Sequence, residues 1–398
     1  MPDLKPRKPV LNSPMYCLSN KKSPGMIIKP LIHIRTFQLL LLLLSNLYGQ
    51  TEFTFENVRL NSIQLIGSHN SYKKAIQPDL WKMIYAKDSM LANSLHYEHI
   101  PLEEQLDLGV RSLELDVYLD PEGSRYSKPL GLSILQKMGL ATNPFDLNNE
   151  LTQPGLKIFH IQDFDFRSHQ LLFTNCLREI KKWSDSNKEH LPIIITINAK
   201  DNKINSEGAA VPIPFNRKGL EVIDTEIRSV FSESELIIPD FVRGQYPTIN
   251  EAILKNGWPK IEDIKGRILF VLDETGEKLN DYLNDDKTLA GKVMFVNAEE
   301  GDSNAAIMII NDPIKDEKRI RDLVKKGYLV RTRTDAETIE ARKNDYTRFE
   351  AAAKSGAQII TTDYYLPSRF FDSSYQMIFD DKSYTRINPL GNTRIEKN

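Results

Sequence analysis

Short apolar runs recur along the chain, and segments with the three-to-four spacing of amphipathic helices lie between several of them. We predict β-strands at residues 62–66, 112–118, 156–161, 192–198, 267–272, 293–297, 328–333 and 358–362. A further run, 305–310, has no clear place in this series. Helices are predicted over 168–188, 314–326 and 343–355, and the last two end at Gly327 and Gly356, the residue type that commonly terminates a helix.

Strands that alternate with helices predict an α/β protein with a TIM-type (β/α)₈ barrel, regular or distorted. A doubly wound open sheet is the alternative. Residues 119–152, 201–222 and 232–262 form connections that are rich in Pro, Gly, Ser and Asn and too long for ordinary turns. We expect these three loops at the C-terminal face of the barrel, where long loops commonly carry the substrate site.

The first 49 residues differ from the rest of the chain. Basic residues precede a short apolar run at 37–44, and the small Gly49 follows it, a pattern typical of a secretory signal peptide. We predict a leader and signal peptide over 1–49, with the signal at about 26–49 and Met26 as an alternative start, and a single catalytic domain over 50–398. The protein would then be secreted or periplasmic, although an uncleaved membrane anchor is the alternative.

Composition limits the function classes. The chain has 398 residues, of which 40% are hydrophobic, so it can bury a large core. Its 52 Lys and Arg nearly balance 54 Asp and Glu, which argues against a nucleic-acid partner. Cys17 lies in the leader and Cys176 has the spacing of a core position in a helix, so we expect no disulfide in the mature chain.

Ionisable and amide side chains gather at the ends of the predicted strands. The candidate site residues are His69 and Asn70 after the first strand, Glu114 and Asp116 in the second, His160 at the end of the third, Asn198 and Lys200 at the fourth, and Arg331 and Arg333 in the seventh. Other strand ends supply Asp273, Glu274, Glu299 and Asp363. Since a barrel brings the carboxyl ends of its strands around one pocket, these groups are expected to converge there.

Each residue taken alone also has a plainer interpretation. His69 can be an ordinary loop histidine, the two carboxylates of the second strand an exposed edge, and the two arginines ion pairs inside the barrel. We interpret Asp163 and Asp165, just beyond the third strand, as a solvated loop or a helix cap. Convergence of the whole set is what favours a functional site.

The residue types suit the cleavage of a phosphodiester. Asn70, Glu114 and Asp116 offer oxygen ligands without cysteine, which is the preference of Ca²⁺ or Mg²⁺. A cation of this kind neutralises charge on a phosphoryl group, while one histidine donates to its oxygens and another protonates the leaving oxygen.

Three motifs carry a family resemblance. "GSHNSY" at 67–72, "RSLELDVY" at 111–118 and "KIFHI" at 157–161 occur in order on the first three predicted strands. Together with the C-terminal segment from 329 to 365, they resemble the phosphatidylinositol-specific phospholipase C superfamily, and in particular its secreted, calcium-dependent bacterial-type branch. The similarity extends over about residues 61–367.

The resemblance implies a TIM-type barrel, a Ca²⁺ cofactor and cleavage of phosphatidylinositol to diacylglycerol and a cyclic inositol phosphate. By position, His69 and His160 match the catalytic histidines, and Asn70, Glu114 and Asp116 match metal ligands. Glu114 also matches a base for the attacking hydroxyl. Metal-independent relatives carry an arginine at the position of Asp116, so this carboxylate favours a bound cation.

One position departs from the family pattern. The fourth strand commonly ends in a glutamate ligand, and Asn198 stands there in this chain. An asparagine keeps an oxygen for the metal but removes a negative charge, so we expect weaker metal affinity while retaining Asn198 as a candidate ligand. Lys200, Arg331 and Arg333 are candidate contacts to the substrate.

Two other functions stay open. The first is a phosphodiesterase of glycerophosphodiesters or glycosyl-inositol anchors, and the second is a weakly active protein that binds lipid headgroups. Five aromatic residues in the long loops are candidates to insert into a bilayer or, equally, to pack the loops against the barrel: Phe215, Phe231, Phe241, Tyr246 and Trp258.

Overall fold

The structure is a computed structural model and describes residues 57–284 and 286–391. The predicted leader, signal peptide and Cys17 lie outside these ranges. Cys176, which we predicted in the core, is fully buried with a free thiol.

Eight parallel strands form the barrel. They are β1 Ile63–Ser68, β2 Ser112–Tyr118, β4 Ile193–Ala199, β5 Ile268–Leu272, β6 Phe295–Val296, β7 Ile307–Ile309, β8 Leu329–Arg333 and β9 Ile359–Thr362. Their order around the sheet is β6-β5-β4-β2-β1-β9-β8-β7. An isolated parallel bridge between Asn297 and Ile307 joins the two ends of this series. The predicted (β/α)₈ barrel is therefore confirmed, and the open sheet is excluded.

One strand assignment from the sequence was wrong, and one run that we left unassigned is a barrel strand. The run 156–161 contains only β3, Lys157–Ile158, which pairs antiparallel with the end of β2 and is not part of the barrel wall. The unassigned run 305–310 contains β7, which supplies the eighth barrel strand. An apolar run indicates burial but not the partner strand, and both segments are buried, so the pattern alone did not distinguish them.

The last strand, β10 Thr385–Ile387, pairs antiparallel with Ile63–Leu65 at the start of β1. β2 pairs with β1 only at Gly67 and Ser112, so β10 covers the part of the β1 edge that β2 leaves open. The chain segment after the barrel thus holds its first strand in place.

Thirteen α-helices lie in the described residues. They are α1 Pro78–Lys87, α2 Ser89–Ser94, α3 Leu102–Asp107, α4 Leu130–Lys137, α5 Phe173–Ser186, α6 Arg217–Val230, α7 Pro239–Arg243, α8 Ile249–Lys255, α9 Ile261–Ile264, α10 Gly276–Leu283, α11 Glu317–Lys326, α12 Ile339–Lys343 and α13 Thr347–Ser355. Gly327 and Gly356 follow α11 and α13 in the left-handed conformation, as predicted. No helix in this part of the chain is both long and apolar enough to span a bilayer.

Every residue of β2 is buried, which fits a wall strand covered on both faces. Leu113, Leu115 and Val117 alternate with Glu114 and Asp116, so one face of the strand is aliphatic and the other is acidic. Two apolar clusters form the core, a large one that includes the aliphatic side chains of the barrel strands and a smaller one around Tyr118 and Phe159.

The three long loops do not all lie at the same end. The segments 119–152 and 201–222 follow β2 and β4, and therefore begin at the carboxyl ends of the strands. The segment 232–262 instead connects α6 to β5, at the amino ends, where the Leu60 amide donates to the Pro259 carbonyl at 3.0 Å. Its predicted place at the C-terminal face was wrong, because a connection from helix to strand returns to the opposite end of the barrel.

The aromatic residues proposed as bilayer anchors are mostly internal. Phe215, Phe231 and Trp258 are buried, with relative exposures of 5%, 3% and 0%. Phe241 is exposed, but it lies with Tyr246 in the 232–262 connection at the amino ends of the strands. The packing interpretation of these loops is therefore the correct one for the three buried rings.

Gly67 lies where β1 and β2 approach most closely, and replacing it tests this contact. A Cβ atom at position 67 would lie 2.5 Å from the Ser112 Cβ and 2.7 Å from the Ser112 carbonyl oxygen. We expect Gly67→Ala to lower the free energy of unfolding by about 1–3 kcal/mol, because the two backbones must separate. Urea unfolding measures the effect. Adding Ser112→Gly should recover part of the loss, and a Gly67→Ala variant as stable as the original chain would contradict the close approach.

Candidate active site

His69 follows β1 directly and is held by the last barrel strand. Its Nδ1 lies 2.8 Å from Asp363 Oδ1, and its backbone amide donates to the Thr362 carbonyl at 3.0 Å. Asp363 is buried, so its carboxylate fixes the ring by accepting a hydrogen bond from Nδ1–H. This bond leaves Nε2 as the proton acceptor of the neutral ring.

The surroundings of His69 oppose its protonation. Burial lowers its pKa well below the usual value of 6.5, and the Arg333 guanidinium, 3.2 Å from Nε2, lowers it further. Glu114, whose Oε1 lies 3.6 Å from Nε2, raises this pKa but does not offset the other two effects. The neutral ring therefore predominates at neutral pH.

His160 has a second carboxylate of its own. Its Nδ1 lies 2.8 Å from Asp165 Oδ2, and Lys73 Nζ lies 3.3 Å from the other oxygen of Asp165. Asp165 and Lys73 are both fully buried. The two histidines thus share one arrangement, in which a buried carboxylate orients the ring through Nδ1.

The predicted solvated loop at Asp163 and Asp165 is wrong for both residues. Asp163 is buried and accepts hydrogen bonds from the amides of Leu130, at the start of α4, and Ala210, so only the helix-cap interpretation holds. Asp165 orients His160. Two carboxylates two residues apart are common in exposed loops, so their local pattern did not reveal that the loop folds inward.

Glu114 lies at the centre of the site. Its Oε2 is in direct contact with Arg331 Nη2, and its Oε1 accepts a hydrogen bond from Asn198 Nδ2 at 3.1 Å. Arg331 is only 2% exposed, and its Nη1 lies 3.7 Å from Asp273 Oδ2. The barrel-interior ion pair, one of two interpretations of Arg331, is therefore present.

Asp116 lies two residues further along the same face of β2. Its Oδ2 is buried without a hydrogen-bond partner, and Lys200 Nζ lies 3.4 Å away. Burial raises the pKa of the neighbouring Tyr72 well above 10, and the Asp116 carboxylate raises it further, so Tyr72 stays a neutral phenol. Lys200 is thus an ionic partner of this oxygen, and because the oxygen accepts no hydrogen bond from the protein it can still accept a ligand.

Asn70 is the remaining predicted metal ligand. It adopts a left-handed backbone with φ of 48°, its Nδ2 donates to the Tyr97 hydroxyl at 2.8 Å, and its Oδ1 accepts from Tyr72 at 3.3 Å. Within residues 57–284 and 286–391, no group of three or more His, Cys, Asp and Glu side chains is arranged to hold a metal ion. The predicted set differs from such a group because two of its four members are amides.

The types of ligand atom at the site nevertheless fit calcium. Asn70, Glu114 and Asp116 supply only oxygen, and Asp116 Oδ2 accepts no hydrogen bond although Lys200 lies 3.4 Å away. Asn198 instead directs its amide nitrogen toward Glu114. The residues that would hold the ion are therefore Asn70, Glu114 and Asp116. Asn198 stays a predicted ligand through its Oδ1, which the bond from its Nδ2 to Glu114 does not use.

Three functional contacts were missed by sequence reasoning. The roles of Asp363 and Asp165 in orienting the histidines were not predicted, although both residues stand at strand or loop ends. Asp335 accepts hydrogen bonds from the Asp363 amide at 2.9 Å and from the Thr334 hydroxyl at 2.7 Å, and it lies directly after β8. Burial and the neighbouring Asp363 raise the pKa of Asp335 to about 6.

Comparison with known protein families identifies the family of this chain. The sequence model of the family described as "Phosphoinositide phospholipase C, Ca2+-dependent" matches residues 58–389. The chain belongs to this family. Its members are phosphatidylinositol-specific phospholipases C, so the chain is assigned to the phosphoric diester hydrolases, and the predicted family and enzyme class are confirmed.

Solved structures with a similar fold include two bacterial enzymes. A calcium-dependent phosphoinositol-specific phospholipase C from the Gram-negative bacterium Pseudomonas sp. is 15% identical, with 83% of this chain and 96% of that chain covered and a TM-score of 0.49. A Ca²⁺-dependent phosphatidylinositol-specific phospholipase C from Streptomyces antibioticus is 18% identical, with coverages of 77% and 95% and a TM-score of 0.47. No curated protein matches the sequence.

The pH dependence of activity should report the environment of His69. Because its pKa is lowered, the acid limb of kcat/KM against pH should lie below pH 6.5, with activity lost only as pH falls toward the pKa of the folded state. Arg333→Gln removes a nearby positive charge and should move this limb to higher pH.

Arg342→Gln is the matched control, since Arg342 is an exposed arginine that contacts His96 and not His69. Its acid limb should coincide with that of the original chain. An acid limb that does not move in Arg333→Gln would contradict the electrostatic role of Arg333.

Proposed function

We propose that the protein cleaves phosphatidylinositol to diacylglycerol and a cyclic inositol phosphate by acid–base catalysis with two histidines. The observation that carries this proposal is the matched pair of His69 and His160, each with Nδ1 bonded to a buried carboxylate. His69 adjoins Glu114 on the acidic face of β2, and the charge of His160 acts on His69. A phosphodiester between them would meet one base and one acid.

His69 is the base in this proposal. Its neutral Nε2 accepts the proton of the inositol 2-hydroxyl as the hydroxyl oxygen forms a bond to phosphorus. Asp363 and Glu114 then stabilise the positive charge on the ring, at 2.8 Å from Nδ1 and 3.6 Å from Nε2. Glu114, predicted as a base, is better suited to this electrostatic role because Arg331 and Asn198 already occupy its two oxygens.

His160 is the acid. It donates its proton to the glycerol oxygen as the bond from that oxygen to phosphorus breaks, and Asp165 and Lys73 hold it in position. Asn70, Glu114 and Asp116 would hold a calcium ion, which when bound would supply positive charge to neutralise the phosphoryl group. Arg333 and Lys200, which border His69 and Asp116, are the residues that we assign to the substrate phosphate.

The substrate would be met at a membrane surface. Met90, Met138, Leu147 and Val211 are 81%, 58%, 81% and 54% exposed. They lie in the loops that follow β1, β2 and β4, on the face that carries the site. These loops contact one another, since Gln77 Nε2 donates to the Ala141 carbonyl at 2.6 Å. We propose that these side chains enter the lipid interface in place of the aromatic residues considered first.

Secretion or export to the periplasm is also proposed. It rests on the apolar run at 37–44, the basic residues before it and Gly49 after it. A phospholipase with this signal would act on lipid surfaces outside the cytoplasm.

Product analysis tests the reaction. We expect ³¹P NMR of phosphatidylinositol vesicles treated with the purified protein in calcium to show a cyclic inositol phosphate. His69→Ala and His160→Ala should each lower turnover by about 10²–10⁴-fold, while His96→Ala, a histidine outside the site, should not. Turnover of glycerophosphoinositol alone would favour the glycerophosphodiester phosphodiesterase, and headgroup binding without turnover would favour the weakly active headgroup-binding protein.

Vesicle binding tests the exposed loops. We expect Met90→Asp with Leu147→Asp to weaken sedimentation with phosphatidylinositol vesicles by about tenfold, because two charged groups must then enter the interface. Hydrolysis of a short-chain, monomeric substrate should be unchanged. Leu254→Asp is the control, since Leu254 is 49% exposed and lies in α8, in the connection at the amino ends of the strands. Equal effects of both changes would contradict the proposed surface.

A further inference from the structure

Arg331 reaches from β8 to a carboxylate on the far side of the barrel. Between β8 and β2 lie two strands, β9 and β1, yet the guanidinium contacts Glu114 directly. Its second amino group donates to Asn311 Oδ1 at 3.0 Å and lies 3.7 Å from Asp273 Oδ2, at the end of β5. The positive charge therefore lies between carboxylates from β2 and β5, two strands that only β4 separates in the sheet.

The acidic groups of the site are already largely compensated by the protein. Glu114, Asp116 and Asp273 bring three negative charges, and Arg331 and Lys200 bring two positive charges. At the position where the family commonly has a glutamate, Asn198 brings none, and its amide donates to Glu114. A divalent cation thus meets one uncompensated negative charge. Without Arg331 it would meet two.

Displacing this arginine is costly. Arg331 is 2% exposed, so a guanidinium that gave up Glu114 to a metal would remain buried beside a second cation. Removing one partner of a buried ion pair is strongly unfavourable, because the other charge then stays uncompensated in a medium of low polarity. The contact with Glu114 is also made by the planar guanidinium of Arg331, and a lysine ammonium cannot reproduce its geometry.

We propose that Arg331 is an internal counterion that competes with calcium for Glu114, so that the site is assembled without the metal and binds it weakly. This inference rests on the site of the proposed function, but it concerns binding and stability and not the reaction. It accounts for the loss of the fourth-strand carboxylate, because an additional negative charge is unnecessary where a metal contributes little to assembly.

Calcium titration of the purified protein tests the proposal without any turnover. We expect isothermal titration calorimetry of the original chain to give a dissociation constant on the order of 10⁻⁴–10⁻³ M, at the weak end of protein calcium sites. Arg331→Met should tighten calcium binding about tenfold or more, because a competing positive charge is removed. It should also make the melting temperature depend on calcium, whereas EDTA should barely shift that of the original chain.

Arg331→Lys keeps the charge without the two-point contact and should give an intermediate affinity, which provides a second test if Arg331→Met does not fold. Lys278→Met is the matched control, since Lys278 pairs with Asp201 at 2.9 Å and with Glu274, away from Glu114. Its affinity should equal that of the original chain. Unchanged or weaker calcium binding in folded Arg331 variants, or tight binding by the original chain, would overturn the proposal.

An inactive protein that still shows these affinities would refute the proposed reaction and leave the counterion role intact. An active protein whose calcium binding does not depend on Arg331 would refute the counterion role and leave the proposed reaction intact. The two claims therefore fail separately.

Discussion

The buried charge of Glu114 is the constraint on which the site depends. A carboxylate inside a barrel is unfavourable unless partners surround it, and three different parts of the chain supply them. Arg331 from β8 contacts one oxygen, Asn198 from β4 donates to the other, and His69 after β1 lies 3.6 Å away. Satisfying this one group fixes the relative positions of three strand ends, and so positions His69, the base in our proposal.

The two histidines are also held by buried charged groups that have partners of their own. Each imidazole is held by a carboxylate that is itself buried and supported, Asp363 by the Arg333 guanidinium and Asp165 by Lys73. Burial of such pairs contributes little net stability, but it removes the alternative orientations of the rings. The site is thus ordered before a substrate arrives, which is the condition for efficient proton transfer.

The repeating apolar runs were sufficient to predict the barrel, because wall strands buried on both faces give unbroken apolar sequence. They did not separate 156–161 from 305–310, since burial is common to a wall strand and to the short strand that pairs with β2. The motifs around His69, Glu114 and His160 predicted a site, and the structure places His69 3.6 Å from Glu114 and near enough to His160 for its charge to act on the ring. Family membership rests on the match over residues 58–389.

What the sequence did not reveal are contacts between residues far apart in the chain. Arg331 and Glu114 are separated by 217 positions, and nothing local to either residue indicates that they touch. The carboxylates behind the histidines were visible as strand-end residues, but only the inward fold of the loop distinguishes Asp165 from a solvated aspartate. The connection 232–262 was misplaced for a similar reason, because the end of the barrel at which it lies depends on whether a strand or a helix precedes it.

A crystal structure grown in EDTA with a non-hydrolysable inositol phosphonate would test the arrangement most directly. The account predicts the Arg331 guanidinium on Glu114 in the absence of metal, with the phosphonate oxygens within hydrogen-bonding distance of both His69 and His160. A phosphonate bound away from the two rings, or an Arg331 side chain turned from Glu114 in an otherwise ordered barrel, would contradict it.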